Sequence, residues 1–154
     1  MKNRLLFLVL ALVILPVAPA LHAQTPAPAP EHKKKADETE LGKTMEKMNG
    51  AWRKLRKQAG DATANAASLE LVATIKACGE KALAFKPAKV ADVPAADQEK
   101  FVADYQQEMK EFLAQVGKLE AALQANDNAA AQDLIRKIGA LQKEAHKEFK
   151  RPEL

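Results

Sequence analysis

Four stretches of the chain repeat an apolar residue at steps of three and four or their sum, and that spacing admits little but helices packed around a shared core. In the first, DETELGKTMEKMNGAWRKLRKQAG, the stripe is Leu41, Met45, Met48, Trp52 and Leu55. The second, from about residue 63 to 85, carries Ala67, Leu71, Ile75, Cys78, Ala82 and Phe85. The third, from about 96 to 125, carries Phe101, Tyr105, Phe112, Val116, Leu119 and Leu123. The fourth offers Leu134, Ile138, Leu141, Ala145 and Phe149. Punctuation agrees with this division: Thr39 or Asp37 can cap the first helix and Gly60 end it, Pro94 lies just ahead of the third, Asp127 or Asn128 recaps the chain, and Pro152 stops the fourth. Short connections then specify an all-α fold, an antiparallel up-down-up-down four-helix bundle with helices one and four side by side.

The residues before the first helix divide in two. Residues 1–23 have a basic start at Lys2 and Arg4, an apolar run and small residues before a cut after Ala23 or Ala20, the pattern of a secretory signal peptide. An uncleaved membrane anchor is the alternative, and Pro16 argues against it. Residues 24–36, rich in Pro, Ala and Lys, read as a disordered linker, leaving 37–151 as the folded domain. His22 and His32 fall in these leading segments, so His146 is the one histidine of the folded part.

Charge and cysteine narrow the classes of function. The formal net charge of +4 falls to +2 once Lys2 and Arg4 are removed with the leader, and both signs are mixed along the helices, so no nucleic-acid footprint is present. The one cysteine, Cys78, cannot form an intramolecular disulfide, and its place in a stripe reads as a small buried hydrophobe. Structural zinc needs four suitable ligands, which one histidine and one buried cysteine do not supply. Neither a paired acid couple, a nucleophile with its base, a glycine phosphate loop nor an HExxH array occurs, so an enzyme is not expected.

In the expected topology Met45 lies about two turns inside the start of helix one, and His146 about one turn inside the end of helix four. Those ends meet in an antiparallel pair. Two readings follow: a core-filling methionine beside an ordinary flank histidine, or the thioether and imidazole that low-spin haem iron accepts as axial ligands. The second would use Phe101, Tyr105, Leu41, Met48 and Phe149 as walls, with Lys143, Lys147, Lys150 and Arg151 at the rim to neutralise propionates.

The stretches ELGKTMEKMNGAW and LQKEAHKEFKR resemble the soluble periplasmic cytochrome b562 family, a four-helix bundle carrying one haem. The resemblance implies axial ligation of iron by Met45 and His146, packing on the ring by Phe101 and Tyr105, and a propionate contact from Lys150. It departs from the family at Gln142, where a basic residue is common. Relatives that attach haem covalently carry cysteines at the positions of Gln142 and Ala145, so the resemblance implies non-covalent haem b, protohaem IX. Electron transfer in the periplasm follows, with unidentified redox proteins as partners, a monomeric state and no stable membrane insertion after the leader is cut. A rival reading is a haemless periplasmic bundle acting as an interaction or envelope-associated protein, kept open by Gln142, Ala145 and the bulk of Trp52.

Overall fold

The structure, a computed structural model, describes residues 39–151; the expected leader and linker, Asp37 and Pro152 lie outside the described residues. Its helices are α1 (Glu40–Gln58), α2 (Asn65–Ala82), α3 (Gln98–Gln124) and α4 (Asn128–Phe149), joined by 3-10 turns at Ala62–Ala64, Ala88–Asp92 and Ala95–Asp97. They form the antiparallel up-down-up-down four-helix bundle, and no strand occurs among the described residues. None of these helices is long and apolar enough to cross a membrane.

Local chemistry sets the boundaries. The Thr39 hydroxyl accepts from the Gly42 amide at 2.9 Å and satisfies an orphan donor of α1, while Arg56 and Lys57 occupy its last turn, where the dipole favours cations. At the other end of the chain's tightest connection, Asn126 adopts φ 57°, a left-handed conformation that asparagine tolerates. Its amide bonds to Leu123 O and that of Asp127 to Ala122 O, closing a Schellman motif. Asp127 then caps α4 by accepting from the Ala130 amide at 2.9 Å.

Two corrections concern register and proximity. In α2 the buried stripe runs through Ser68, Val72, Ile75 and Cys78, whereas Ala67 is exposed and Leu71 half-buried. Ser68 tolerates full burial because its hydroxyl accepts from Gln58 Nε2 at 3.1 Å, a bond supplied by α1. Helices α1 and α4 share the core, yet their backbones do not pack closely along their length. The close helix pairs are α1 with α2, α2 with α3, and α3 with α4. Close approach is built in where it occurs: a Cβ on Gly79 of α2 would sit 2.7 Å from Leu113 Cδ2 of α3. The fourth side of the bundle is therefore a seam.

The core falls into two clusters. One contains Trp52, Leu55, Val72, Ile75, Val116, Leu119, Leu123 and Ile138. The other is smaller, built on Ala82, Tyr105, Met109 and Phe149, with Leu41, Met45, Phe101 and Ala145 packed half-buried against it.

Candidate functional site

The seam between α1 and α4 can be followed from one end of the bundle to the other by helical spacing. At the α1–α2 loop end, Arg56 and Lys57 of α1 share a cleft of roughly 390 Å³ with Gln132, Ile135 and Arg136 of α4. Met45 precedes Arg56 by about three turns and so lies on the same flank of α1. On α4, positions 132, 139 and 146 recur at the seven-residue interval that keeps a side chain on one flank. By helical spacing, Met45 and His146 fall on the flanks of α1 and α4 that border the seam.

They are also level. Arg56 and Arg136 lie at similar heights, to within the reach of two long side chains that line one cleft. From there Met45 is about 16 Å up α1, and His146 about 15 Å up α4 running in the opposite chain direction, at 1.5 Å per residue. Two turns before His146 on the same α4 flank, a Cβ on Gly139 would meet nothing within 4 Å. The space beside the backbone there is open.

Surroundings differ for the two side chains. Met45 is half-buried and packs on the smaller core cluster. His146 has an exposed surface, yet enough of its imidazole is shielded for desolvation, followed by the charge of Lys150, to hold its pKa below the usual value. At neutral pH the ring is therefore uncharged and keeps a lone pair. Phe101, Tyr105 and Phe149 form one aromatic group, with ring centroids 5.2 Å apart for Phe101–Phe149 and 5.7 Å for Tyr105–Phe149. Phe149 is thus buried between the other two rather than extending a wall beyond His146, as its sequence position indicated. The Tyr105 hydroxyl donates to Ala82 O at 3.2 Å, and burial pushes its pKa up to about 12.

The rim is partly committed to other contacts. Lys147 pairs with Glu144 at 2.8 Å, and Arg151 makes a two-pronged pair with Asp92 at 2.6 and 2.8 Å. Lys143 and Lys150 are exposed beside His146 on the seam flank of α4. Lys89 donates to the carbonyls of Lys147, at 3.2 Å, and Glu148. With Asp92 it straps the α2–α3 loop over the last turn of α4. Neither strap residue was singled out from sequence, since nothing local marks a lysine that will meet carbonyls 58 residues away. Met109, buried beside Tyr105 in the smaller cluster, was also missed, although its position one turn after Tyr105 was a usable signal.

Among the described residues, no group of three or more His, Cys, Asp or Glu side chains is arranged to hold a metal ion. The donor set on the seam is different in kind: one imidazole and one thioether on facing helices, backed by aromatic side chains. That set suits the two axial positions of a haem iron. The profile of the family described as cytochrome b562 matches residues 40–150. No curated protein and no solved structure matches the chain.

Proposed function

The chain belongs to the cytochrome b562 family, and from that premise we propose that it is a periplasmic electron carrier holding one non-covalent haem b, with Met45 and His146 as its axial ligands. The family is one of haem-binding electron carriers rather than enzymes. What supports the assignment of ligands is the similar height that helical rise gives Met45 and His146 on the two helices whose backbones do not pack closely.

When bound, the haem supplies a one-electron ferric/ferrous couple, and two protein ligands leave no open position for substrate, which suits outer-sphere exchange. Each residue then has a definite task. His146 offers a neutral nitrogen, and Met45 a softer sulfur that favours the reduced state. Phe101 and Tyr105 provide apolar surface that excludes water, with Tyr105 held in place by its bond to Ala82 O. Lys150 and Lys143 lie where propionate charge would need compensation. Gln142 and Ala145 offer no sulfur near His146, and Cys78 is buried in α2, so no thioether link to the cofactor can form.

One observation favours the rival reading of a haemless interaction bundle. Phe149 already packs on Phe101 and Tyr105, the two residues assigned to the ring, so part of their surface is taken up within the protein itself.

Absorption spectroscopy separates the two. Hemin added to the purified protein should give sharp low-spin Soret and α bands on reduction, and both Met45→Ala and His146→Ala should abolish low-spin ligation. A free-hemin spectrum in the wild type would overturn the proposal. Because only the folded state binds, loading should also raise the melting midpoint, with about 2.7 kcal/mol of stabilisation at one hundred times the dissociation constant.

A further inference from the structure

The small net charge of the chain conceals a division by helix. Helices α1 and α4 together carry ten lysines and arginines against five acidic residues, whereas α2 and α3 carry five against seven. Mixed signs along the sequence thus resolve in space into a basic face on one side of the bundle and a faintly acidic one on the other. Ion pairing widens the contrast. Three of the five cations of α2 and α3 are paired, Lys76 with Glu120 at 2.6 Å, Lys81 with Glu40 at 3.4 Å and Lys100 with Asp104 at 2.6 Å. Arg53, Arg56, Lys57 and Lys143 are exposed and have no carboxylate within ion-pair distance among the described residues.

Complementing the helix dipole explains Arg56 and Lys57 in the last turn of α1. It does not explain Arg53, or Lys143, which lies before the last turn of α4. The basic residues also converge on a concave feature, since the cleft between the two helices is lined by Arg56, Lys57 and Arg136 with Asp61 as its one acidic residue.

We propose that the α1–α4 face is the docking surface for a carboxylate-rich protein partner. The purpose assigned to that partner, electron exchange through the seam, rests on the haem reading; the charge division does not. A basic face steers an acidic partner toward itself over about a Debye length and orients it on arrival. The orientation matters here because the seam is where Met45 and His146 stand. A protein is favoured over a bilayer because the exposed side chains of α1 and α4 are polar, charged or alanine, without the apolar row that anchors an interfacial helix.

The test uses the haem-free protein, labelled with nitrogen-15 and titrated with a dodeca-glutamate peptide, so a failure of haem binding leaves the measurement readable. Amide shifts should concentrate on α1 and α4, and affinity should fall about tenfold between 10 and 150 mM salt. Arg53→Glu with Lys57→Glu should weaken binding by about a further fivefold, while Lys110→Glu with Lys118→Glu on α3 should strengthen it slightly or leave it unchanged. All four positions are exposed, and unchanged melting curves will show that the variants fold. Shifts spread evenly over four helices, or equal loss from both pairs of substitutions, would overturn the proposal. So would tighter binding to phosphatidylglycerol vesicles than to the peptide, which would make the face a lipid contact.

Discussion

The two halves of the bundle are built from different materials. In the half around Trp52, Leu55, Ile75, Val116, Leu119 and Ile138 have no exposed surface, and an amide network seals the end: Asn128 Nδ2 donates to Ala59 O at 2.9 Å and to Asn65 Oδ1 at 2.8 Å, and Asn65 Nδ2 to Asn126 Oδ1 at 2.9 Å. In the half around Met45, the packing is aromatic and thioether, and only Ala82 of the smaller cluster is wholly covered. Aliphatic side chains in fixed rotamers specify one packing, whereas methionine and half-buried aromatics can rearrange. One half is the more tightly sealed, and the other is where the proposed haem would sit.

The largest expected effect breaks or upholds that contrast directly. Ile138→Ala in the sealed half should cost about 3 kcal/mol, the usual range for emptying a fully packed aliphatic site. Met45→Ala should cost about 1 kcal/mol in the haem-free protein, since its side chain is half-buried and its neighbours can close in. Urea unfolding followed by the fluorescence of Trp52, the sole tryptophan, measures both. Equal losses would show that the two halves are equally packed, and the argument for a reserved site would fail.

Alkaline pH probes the other half through its own reporter, because Tyr105 is the sole tyrosine. Burial raises its folded-state pKa from 10.0 to about 12, so the neutral phenol is what the fold accepts. Below pH 10 both states keep the proton and stability is unaffected. As pH climbs from 10 to 12 the unfolded chain ionises first, and stability is lost progressively, by roughly 2–3 kcal/mol at the upper end. Tyrosinate absorbance should therefore appear late and together with unfolding. Ordinary titration near 10 with the fold intact would mean that the aromatic group is open to water.

How much of this was legible in the sequence depended on the range of the interaction. Thr39 and Asp127 could be read as caps because a cap and its amide are neighbours, and Cys78 could be read as buried from its place in a stripe. The α2 register slipped because Ala67, Leu71 and Val72 are all apolar, and the residue that decides it, Ser68, is stabilised in the core by Gln58 from another helix. Met45 and His146 could be compared in height from sequence because antiparallel topology converts sequence position into height. Their environments could not be read there, since the central position of Phe149 depends on how α4 packs against Phe101 and Tyr105 of α3. The charge division was hidden for the same reason: it needs to be known which helices share a face.

A smaller effect tests the strap over the last turn of α4. Asp92→Ala removes an exposed two-pronged pair with Arg151, and such pairs contribute about 0.5 kcal/mol. Global stability should barely move, but hydrogen exchange at the Lys150 amide, which bonds to His146 O, should accelerate as the turn frays. Unchanged exchange there would make the strap incidental to the histidine.

The smallest effect is the acid response of His146, and it sharpens the contrast most precisely. Desolvation, then the charge of Lys150, lowers its folded-state pKa below 6.5. Above pH 6.5 the imidazole is neutral folded and unfolded, so it contributes nothing to pH dependence. Below 6.5 the unfolded chain takes the proton first, and the fold loses a little stability as pH falls toward the folded-state value. In the loaded protein the same proton would compete for the nitrogen assigned to iron, so ligation should weaken in the same direction. Proton NMR of the ring, assigned by comparison with His146→Gln, should show a midpoint below 6.5 that rises in Lys150→Ala. A midpoint at or above 6.5 in the wild type would show that the seam does not shield the ring from water.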